Sequence, residues 1–295
     1  MGVKLKDLRA EAVPRVEERL SELLRPEPEE PPKLTEAVRY ALFNGGKRVR
    51  PLLTFLAARA FGGRTDGCLD LACAVEMVHA SSLILDDLPC MDDSPLRRGK
   101  PALHKAFGED VALLAAYALL SGAFQATARA ATRLPQERYP AEQYMETLAR
   151  SIGTGGLVGG QYLDLHPPRT MDFSALEYIH SHKTGALFTA AARLGAMAAQ
   201  AKPAELEGVT RYAKNLGLAF QISDDLLDVR GNAEAIGKPV GQDAGKTTFF
   251  SLMGEAGCRK ALEELIEASL KNLEPFKDRG ALLEEFARYV GGRTA

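Results

Sequence analysis

The feature that most restricts the fold is a helix-favouring pattern that runs through almost the whole chain. Alanine, leucine, glutamate, arginine and lysine dominate, whereas alternating runs of β-branched and polar residues are nearly absent. These side chains favour helices because they lose little rotamer freedom there, and the apolar residues recur at helical spacing. The pattern predicts helices over residues 5–24, 34–43, 52–61, 68–85, 111–133, 141–152, 159–165, 173–199, 204–229 and 258–271.

The segments between these helices carry residues that end helices. Residues 25–32 contain four prolines, and Asn-Gly-Gly occupies residues 44–46. Residues 231–246 combine glycine, proline and charged residues, which is typical of a loop. No repeat and no domain-length linker interrupts the series. We therefore expect one all-α domain over residues 1–295, a single-domain helical bundle.

The charge balance narrows the range of partners. The chain has 295 residues with 37 basic and 39 acidic side chains, for a formal net charge of −2. No strong positive field favours nucleic acid. The apolar stretches 111–131 and 186–201 contain polar and charged residues, so we expect fully buried core helices and no stable membrane insertion.

Cysteine usage and the start of the chain bear on the cellular setting. The four cysteines form no CxxC pair, which leaves a zinc site without support. The first 24 residues are charged throughout and contain no apolar run like that of a signal peptide. These features predict a cytoplasmic location, in a reducing environment.

Two aspartate clusters, at residues 86–93 and 224–228, each follow an apolar helical run. Crowded carboxylates repel one another unless cations or protons intervene. Oxygen ligands suit Mg²⁺, which keeps some of its waters and bridges to substrate phosphates. The clusters therefore predict a magnesium site that both halves share. Its candidate ligands are Asp86, Asp87, Asp92, Asp224, Asp225 and Asp228.

Local geometry supports this site. Asp224 and Asp228 share a helix face at i and i+4, near a helix C-terminus where the dipole favours cations. Pro89 ends the preceding helix in the first cluster, so Asp92 can fold back toward Asp86. The alternative for each cluster is an acidic surface that is only solvated.

Basic groups occur close to these clusters. GGKRVRP at 45–51 puts cations at a helix start, where free N–H groups suit phosphate, although on its own the run is better explained as a solvated basic turn. RRGKP at 97–101 offers guanidinium groups that bind phosphate through two hydrogen bonds, although Arg97 and Arg98 could instead only neutralise Asp92 and Asp93. Other candidate contacts to an anion, each with an alternative as a structural or surface group, are His79, Lys183, Thr184, Lys238 and Lys246.

In their order these motifs resemble those of the trans-isoprenyl diphosphate synthases, the short-chain trans-prenyltransferases. The shared set is GGKRVRP at 45–51, DDLPCMD at 86–92, RRGKP at 97–101, GGQ at 159–161, KTG at 183–185, FQ at 220–221 and DDLLD at 224–228. Each motif alone is weak, but the ordered set is specific. The resemblance implies an all-α bundle of the isoprenoid synthase type around a deep central cavity, usually as a homodimer.

The resemblance also implies a reaction. Family members condense isopentenyl diphosphate with an allylic diphosphate head-to-tail, with three Mg²⁺ at the active site. The allylic diphosphate ionises, isopentenyl diphosphate attacks the carbocation through its double bond, and a proton is then lost. In such a site the protein contributes positioning and charge stabilisation more than acid–base groups.

The motifs carry implied roles onto residues of this chain. The direct magnesium ligands would be Asp86, Asp92 and Asp224, and the supporting carboxylates would be Asp87, Asp225 and Asp228. The allylic diphosphate would be held by Arg97, Lys183 and Lys238, with Lys246 as a further cation of that loop. Isopentenyl diphosphate would be held by Lys47, Arg50, His79 and Arg98. The space around the carbocation would be lined by Thr184 and Gln221.

Product length in this family depends on the cavity beneath the first aspartate motif. Farnesyl synthases often have an aromatic residue at the fifth or fourth position before the first aspartate, and here Ser81 and Ser82 occupy those positions. Small walls admit a longer apolar tail, which predicts a C20 product, geranylgeranyl diphosphate, with C15 farnesyl diphosphate as the alternative. A deeper floor is expected at Met77 or Val78, with contributions from Tyr117 or Ser121.

Two other functions share part of this pattern. A class I terpene cyclase also has an aspartate-rich motif and magnesium, but it does not need the cations at Lys47, Arg50 and Arg98. A non-catalytic subunit of a prenyl synthase usually loses one aspartate motif, whereas both are present here. Either function would be favoured by the absence of any condensation product.

Overall fold

The computed structural model describes residues 4–229 and 247–294. The first half of the chain forms α1 (Leu5–Leu23), α2 (Pro32–Phe43), α3 (Val49–Ala60), α4 (Thr65–Asp86), β1 (Leu96–Arg97), β2 (Lys100–Pro101), α5 (Leu103–Phe107) and α6 (Glu109–Ala131). The second half forms α7 (Ala141–Ile152), α8 (Leu157–Leu165), α9 (Phe173–Lys183), α10 (Gly185–Ala198), α11 (Pro203–Val229), α12 (Phe249–Lys271) and α13 (Ala281–Gly291), with 3₁₀ turns at Glu274–Gly280 and Gly292–Thr294. The predicted all-α fold class is confirmed.

The core lies where α3, α4 and α10 pack together. These helices are rich in alanine, which allows close approach, and larger side chains such as Phe55 and Phe188 fill the remaining space and are fully buried. Each buried large apolar side chain contributes about 1.5–3 kcal/mol relative to exposure. The second layer consists of α6 against α4 and of α11 against α10 and α12.

A short hairpin follows the first aspartate cluster, where no strand was expected. Strand β1 pairs with β2 in antiparallel register, Leu96 with Pro101 and Arg97 with Lys100. The two turn residues, Arg98 and Gly99, have φ angles of 53° and 78°. Positive φ at both positions is the geometry of the tightest hairpin turns. The turn therefore determines the backbone positions from which the side chains of Arg97 and Arg98 project.

Some helices differ from the predictions, and the short α5 was not predicted at all. The helix expected over 173–199 is divided into α9 and α10 at Thr184, and the helix expected over 258–271 begins earlier, at Phe249, and has a non-helical residue at Gly254. Helix α13 was not predicted. Its buried residues, Leu283, Phe286, Ala287 and Val290, recur at helical spacing.

Two helices within residues 4–229, Asp66–Asp86 and Glu109–Ala131, are long and apolar enough to cross a membrane. The most apolar window of the first is 72% buried within the protein, whereas that of the second is 39% buried. Helix α10 is therefore mostly buried, in line with the expectation, whereas the expectation of full burial is wrong for α6 in the single chain. Its outer face exposes Leu113, Leu114 and Tyr117, the last at 69%.

Candidate active site

The first aspartate cluster is a compact turn at the end of α4. The Asp92 N–H donates to the Asp86 carbonyl at 2.9 Å, and the Asp93 N–H donates to the Leu88 carbonyl at 3.0 Å. Because Pro89 stops the helix, the chain reverses there. The turn brings Asp92 back to Asp86, as the sequence suggests.

Asp87 is neutralised within this turn. Nε of Arg97 lies 3.1 and 3.0 Å from its two carboxylate oxygens, and Nη2 of Arg97 donates to Oδ1. Burial raises the pKa of the Asp87 carboxyl, and the hydrogen bonds from Arg97 oppose that shift. The sequence-based alternative paired Arg97 with Asp92 or Asp93, whereas Asp93 instead contacts Lys105 at 3.3 Å.

Asp86 has different surroundings. Burial raises its pKa, Asp92 raises it further, and Lys183 is the strongest opposing charge. Lys183 lies at the end of α9, where its Nζ donates to Asp164 Oδ2 at 2.7 Å. Asp164 is not among the predicted site residues, although it stands three positions after the GGQ motif. A carboxylate, a lysine and the first aspartate cluster therefore meet at one place.

A glycine allows this meeting. A side-chain carbon at Gly160 would lie 2.2 Å from the Lys183 backbone nitrogen, far inside contact distance. Only glycine therefore lets α8 approach α9 closely enough for Asp164 to reach Lys183. This gives the GGQ motif a structural purpose that its sequence alone does not reveal.

The second aspartate cluster lies in the last turns of α11. Both carboxylate oxygens of Asp225 accept hydrogen bonds from other residues of the protein. Its Oδ1 accepts from Gln221 Nε2 at 3.0 Å, and its Oδ2 accepts from the Phe249 N–H at 2.9 Å. Phe249 begins α12, and a carboxylate at a helix N-terminus is favourable. Thr184 donates to Gln221 Oε1 at 3.2 Å, so a chain of side chains joins the start of α10 to Asp225.

Asp224 and Asp228 have other surroundings. Arg293, from the C-terminal 3₁₀ turn, donates to Asp224 Oδ1 at 2.8 Å and lies over the Phe220 ring at 4.3 Å. Arg293 was not predicted, because nothing local marks a residue so far along the chain. Asp228 Oδ1 is buried and has no hydrogen-bond partner among the residues described. A buried, unpartnered carboxylate oxygen suits a bound cation.

Several basic side chains gather near these clusters. Nη1 of Arg50 lies 3.2 Å from Nε2 of His79, and the Arg50 guanidinium lies 4.9 Å from the Phe188 ring. Burial lowers the pKa of Arg50 to about 10. Burial, followed by the charges of Arg50 and Arg98, also places the pKa of His79 well below its usual value. A neutral His79 therefore sits among cations.

Lys47 and Arg98 complete this group, which we name the cation cluster: Lys47, Arg50, His79 and Arg98. Burial and then Arg293 lower the pKa of Lys47, and burial also lowers that of Arg98. Arg98 donates to the Gly45 carbonyl, and a side chain at Gly46 would lie 2.9 Å from its guanidinium group. Burial is the first cause of each shift, and Arg98 also lowers the pKa of Arg50. Buried cations of this kind favour a bound anion.

The predicted chain-length residues lie on α4, and two of them, Ser81 and Met77, face α6. Ser81 is buried and donates to the Ala116 carbonyl of α6 at 2.9 Å, whereas the half-buried Ser82 donates to the His79 carbonyl. Met77 and Val78 are buried. Met77 faces α6, because a carbon added to Gly122 would lie 3.3 Å from its sulfur.

Two predicted residues, Lys238 and Lys246, lie outside the described part of the chain. Within residues 4–229 and 247–294, no three histidine, cysteine or carboxylate side chains converge closely enough to hold a metal ion. The carboxylates in the described part of the chain therefore do not form a closed cage by themselves. Such an open arrangement is what Mg²⁺ uses when waters and substrate phosphates supply the remaining ligands.

Comparison with known proteins decides the family. The model of the polyprenyl synthetase family matches residues 31–282, a range that includes every motif described above. The chain belongs to the polyprenyl synthetase family. It is accordingly a trans-prenyltransferase, and its family acts on isopentenyl diphosphate and allylic diphosphates.

Individual relatives of this polyprenyl synthetase carry different product names. Geranylgeranyl pyrophosphate synthase 11, chloroplastic, from Arabidopsis thaliana is 46% identical over 90% of this chain and 76% of its own length. Farnesyl diphosphate synthase from Geobacillus stearothermophilus is 43% identical over 90% of each chain. A solved FPP/GFPP synthase from Zymomonas mobilis superposes with a TM-score of 0.86 at 34% identity, covering 98% of this chain and 99% of its own.

These relatives bear on two earlier predictions. The structural match confirms the isoprenoid synthase type of helical bundle. The predicted cytoplasmic location is contradicted, because relatives 45–46% identical to this chain are chloroplastic geranylgeranyl synthases. A reducing environment, which is all that the cysteine pattern indicates, does not distinguish between these compartments.

Proposed function

We propose that this polyprenyl synthetase is a magnesium-dependent geranylgeranyl diphosphate synthase. It condenses isopentenyl diphosphate with allylic diphosphates head-to-tail by ionisation, condensation and elimination. The observation that carries the proposal is the cation cluster, with Arg50 3.2 Å from His79, close to the aspartate clusters. A terpene cyclase needs one diphosphate site, whereas this arrangement supports two.

The allylic diphosphate would bind between the aspartate clusters. Asp86, Asp92 and Asp224 would hold Mg²⁺ directly, with Asp87, Asp225 and Asp228 in support. The buried, unpartnered Oδ1 of Asp228 and the burial-raised pKa of Asp86 support this fit. When bound, Mg²⁺ supplies positive charge to the diphosphate leaving group. Asp87 and Asp225 act mainly by orienting Arg97 and Gln221, with which they are hydrogen bonded.

The protein's own groups would stabilise the charges that develop. Lys183, oriented by Asp164, places a cation near the leaving diphosphate, and Arg97 and Lys238 add to it. Thr184 and Gln221, which are hydrogen bonded to each other at 3.2 Å, present oxygens toward the carbocation. The cation cluster orients isopentenyl diphosphate so that its double bond can attack. The proton lost afterwards goes to the departing diphosphate, which is the strongest base nearby.

The C20 product is supported by the wall of α4 and by one group of relatives. Ser81 and Ser82 are small, and each added methylene of a tail gains about 0.8 kcal/mol when buried. A geranylgeranyl synthase is 46% identical to this chain. The alternative is a C15 product, because a farnesyl synthase is 43% identical.

A homodimer of single-domain chains is the proposed assembly. The apolar outer face of α6, with Leu113, Leu114 and Tyr117 exposed, supports burial against a second copy. Adjoining exposed apolar side chains of this kind often mark an interface between proteins. Sedimentation would test this, since a monomer at micromolar concentration would reject it.

Product analysis tests the proposed function. Purified protein receives Mg²⁺, isopentenyl diphosphate and, separately, dimethylallyl, geranyl or farnesyl diphosphate, and the products are identified by mass. A dominant C20 diphosphate is expected. A stop at C15 would reject the product length but keep the reaction, and the absence of any condensation product would reject both.

A further inference from the structure

Arg48 stands in the middle of the GGKRVRP run, yet it does not join the cation cluster. Its side chain is 1% exposed, and its Nη1 donates to Oε1 of Glu76 at 2.7 Å, where the Glu76 side chain is 3% exposed. Its Nη2 donates to the Leu42 carbonyl at 2.7 Å. Arg48 thus turns into the core, where it joins α2 to α4, while its neighbour Arg50 contacts His79.

The backbone at Arg48 shows that this inward turn is enforced. Its φ and ψ are 50° and 39°, a left-handed conformation that costs free energy for any residue other than glycine. Its side chain makes no capping hydrogen bond at the start of α3. Contacts of the Arg48 side chain must therefore stabilise this backbone conformation. We attribute it to the buried hydrogen bonds with Glu76 and with the Leu42 carbonyl.

The position of Glu76 connects this pair to the cation cluster. Glu76 lies on α4 three residues before His79, about one helical turn away. Arg48 immediately precedes α3, which carries Arg50. The buried ion pair therefore joins the same two elements that the contact between Arg50 and His79 joins at 3.2 Å. Glu76 is also the first of the charges that favour the protonated form of Arg50.

Stability alone does not account for this pair. Burying two charges costs about as much as their attraction returns, and well-packed apolar residues are often equal or better. Nε of Arg48 is buried without a hydrogen-bond partner in the described part of the chain, so its desolvation is not fully compensated. The remaining ion pair of Arg48, with Glu17, is half exposed and contributes little.

We propose that the buried pair of Arg48 and Glu76 is a positioning device for isopentenyl diphosphate, which holds Lys47 and Arg50 in register with His79. Neither residue touches the substrate. The inference rests on the proposed function in one respect, namely that isopentenyl diphosphate occupies the cation cluster. Loss of Glu76 should weaken binding of this substrate without affecting the allylic one.

A partly buried ion pair on the same helix provides a control. Asp70 lies on the same helix α4, and its Oδ1 accepts from Arg19 Nε at 2.6 Å while its side chain is 10% exposed. Asp70 contacts no member of the cation cluster. Asp70→Asn therefore removes a comparable charge from α4 without affecting the loop at residues 45–51.

The experiment measures steady-state kinetics and calorimetric binding of isopentenyl diphosphate for the wild type, Glu76→Gln and Asp70→Asn. For Glu76→Gln, KM for isopentenyl diphosphate should rise about tenfold or more, as displacement of binding groups typically causes. KM for the allylic substrate and kcat should stay within about twofold, the pattern of lost uniform binding. Asp70→Asn should leave both KM values unchanged.

A double variant, Arg48→Met with Glu76→Gln, distinguishes an effect on substrate binding from an effect on stability. It also replaces the single variant if Glu76→Gln does not fold. It replaces the ion pair with neutral groups and should regain thermal stability while KM for isopentenyl diphosphate remains high. Recovery of a wild-type KM, equal rises in both KM values, or the same rise in Asp70→Asn would overturn the proposal. If the wild type forms no product, the proposed function fails, and calorimetry alone still decides whether Glu76 controls binding.

Discussion

Arg97 donates to both carboxylate oxygens of Asp87, with its Nε 3.1 and 3.0 Å from them. The adjacent Asp86 instead lies near Asp92 and Lys183, and burial raises its pKa. Two neighbouring aspartates of one motif therefore have different surroundings. The same division recurs in the second cluster, where Asp225 is bound by Gln221 and Phe249.

Removal of a proposed direct ligand should abolish turnover but not folding. Asp86→Ala and Asp224→Ala should each lower kcat by about 10²–10³-fold or more, because the charge that stabilises the leaving group is no longer held. Steady-state kinetics and circular dichroism measure the two effects. Asp93→Ala is the control, since Asp93 is exposed beside Lys105; near-normal rates in Asp86→Ala would refute the ligand role.

Asp225→Ala should differ from Asp93→Ala, at an exposed carboxylate of the first cluster, by destabilising the protein. It leaves the buried Phe249 N–H without its acceptor, which costs about 1–3 kcal/mol. Urea unfolding of both variants measures the free energy of unfolding. Equal stability in the two variants would contradict a structural role for Asp225.

Asp228→Asn should weaken the response to magnesium. Its buried Oδ1 has no hydrogen-bond partner within the described residues, so the loss of charge should mainly affect a bound cation. The magnesium concentration for half-maximal rate should rise about tenfold. A magnesium titration with Asp93→Asn alongside checks this, and a rise of the same size in both variants would argue for a general charge effect. Removal of all metal with a chelator should stop turnover.

Ser81→Phe should shorten the product. Ser81 is buried where α4 meets α6 and donates to the Ala116 carbonyl, and we expect a phenyl ring there to narrow the space that the growing tail would enter. Mass analysis should give mainly C15 in place of C20. Ser81→Ala serves as the control because it removes the hydrogen bond without adding volume, and it should keep the wild-type product. An unchanged C20 product in Ser81→Phe would place the floor elsewhere.

His79 should make stability depend on pH. Its folded pKa lies well below 6.5 because of burial and the neighbouring arginines. Below about pH 6.5 the unfolded chain therefore binds a proton that the folded chain does not, and stability falls as pH decreases, by up to about 1.4 kcal/mol per unit. When urea unfolding is measured between pH 7.5 and 5.5, the free energy of unfolding should change less with pH in His79→Gln than in the wild type. His166→Gln, at an exposed histidine, should keep the wild-type slope.

Most of the fold class could be predicted from local features. Helix-favouring composition and apolar spacing located most helices, because both act within a few turns of the chain. The misses lie where distant contacts decide the backbone. The break at Thr184 coincides with its hydrogen bond to Gln221, and the hairpin at Leu96–Pro101 depends on positive φ at Arg98.

By itself, the sequence determined which chemistry was available: carboxylates at the ends of two helices and basic groups in short motifs. Only the tertiary structure decided how these groups are used. In the folded protein Arg48 pairs with Glu76 in the core, and Arg97 pairs with Asp87. Lys183 pairs with Asp164, and Arg293, near the C-terminus, pairs with Asp224. The physical reason is that helical period determines which side chains share a face, whereas the packing of helices distant in sequence determines which charges meet.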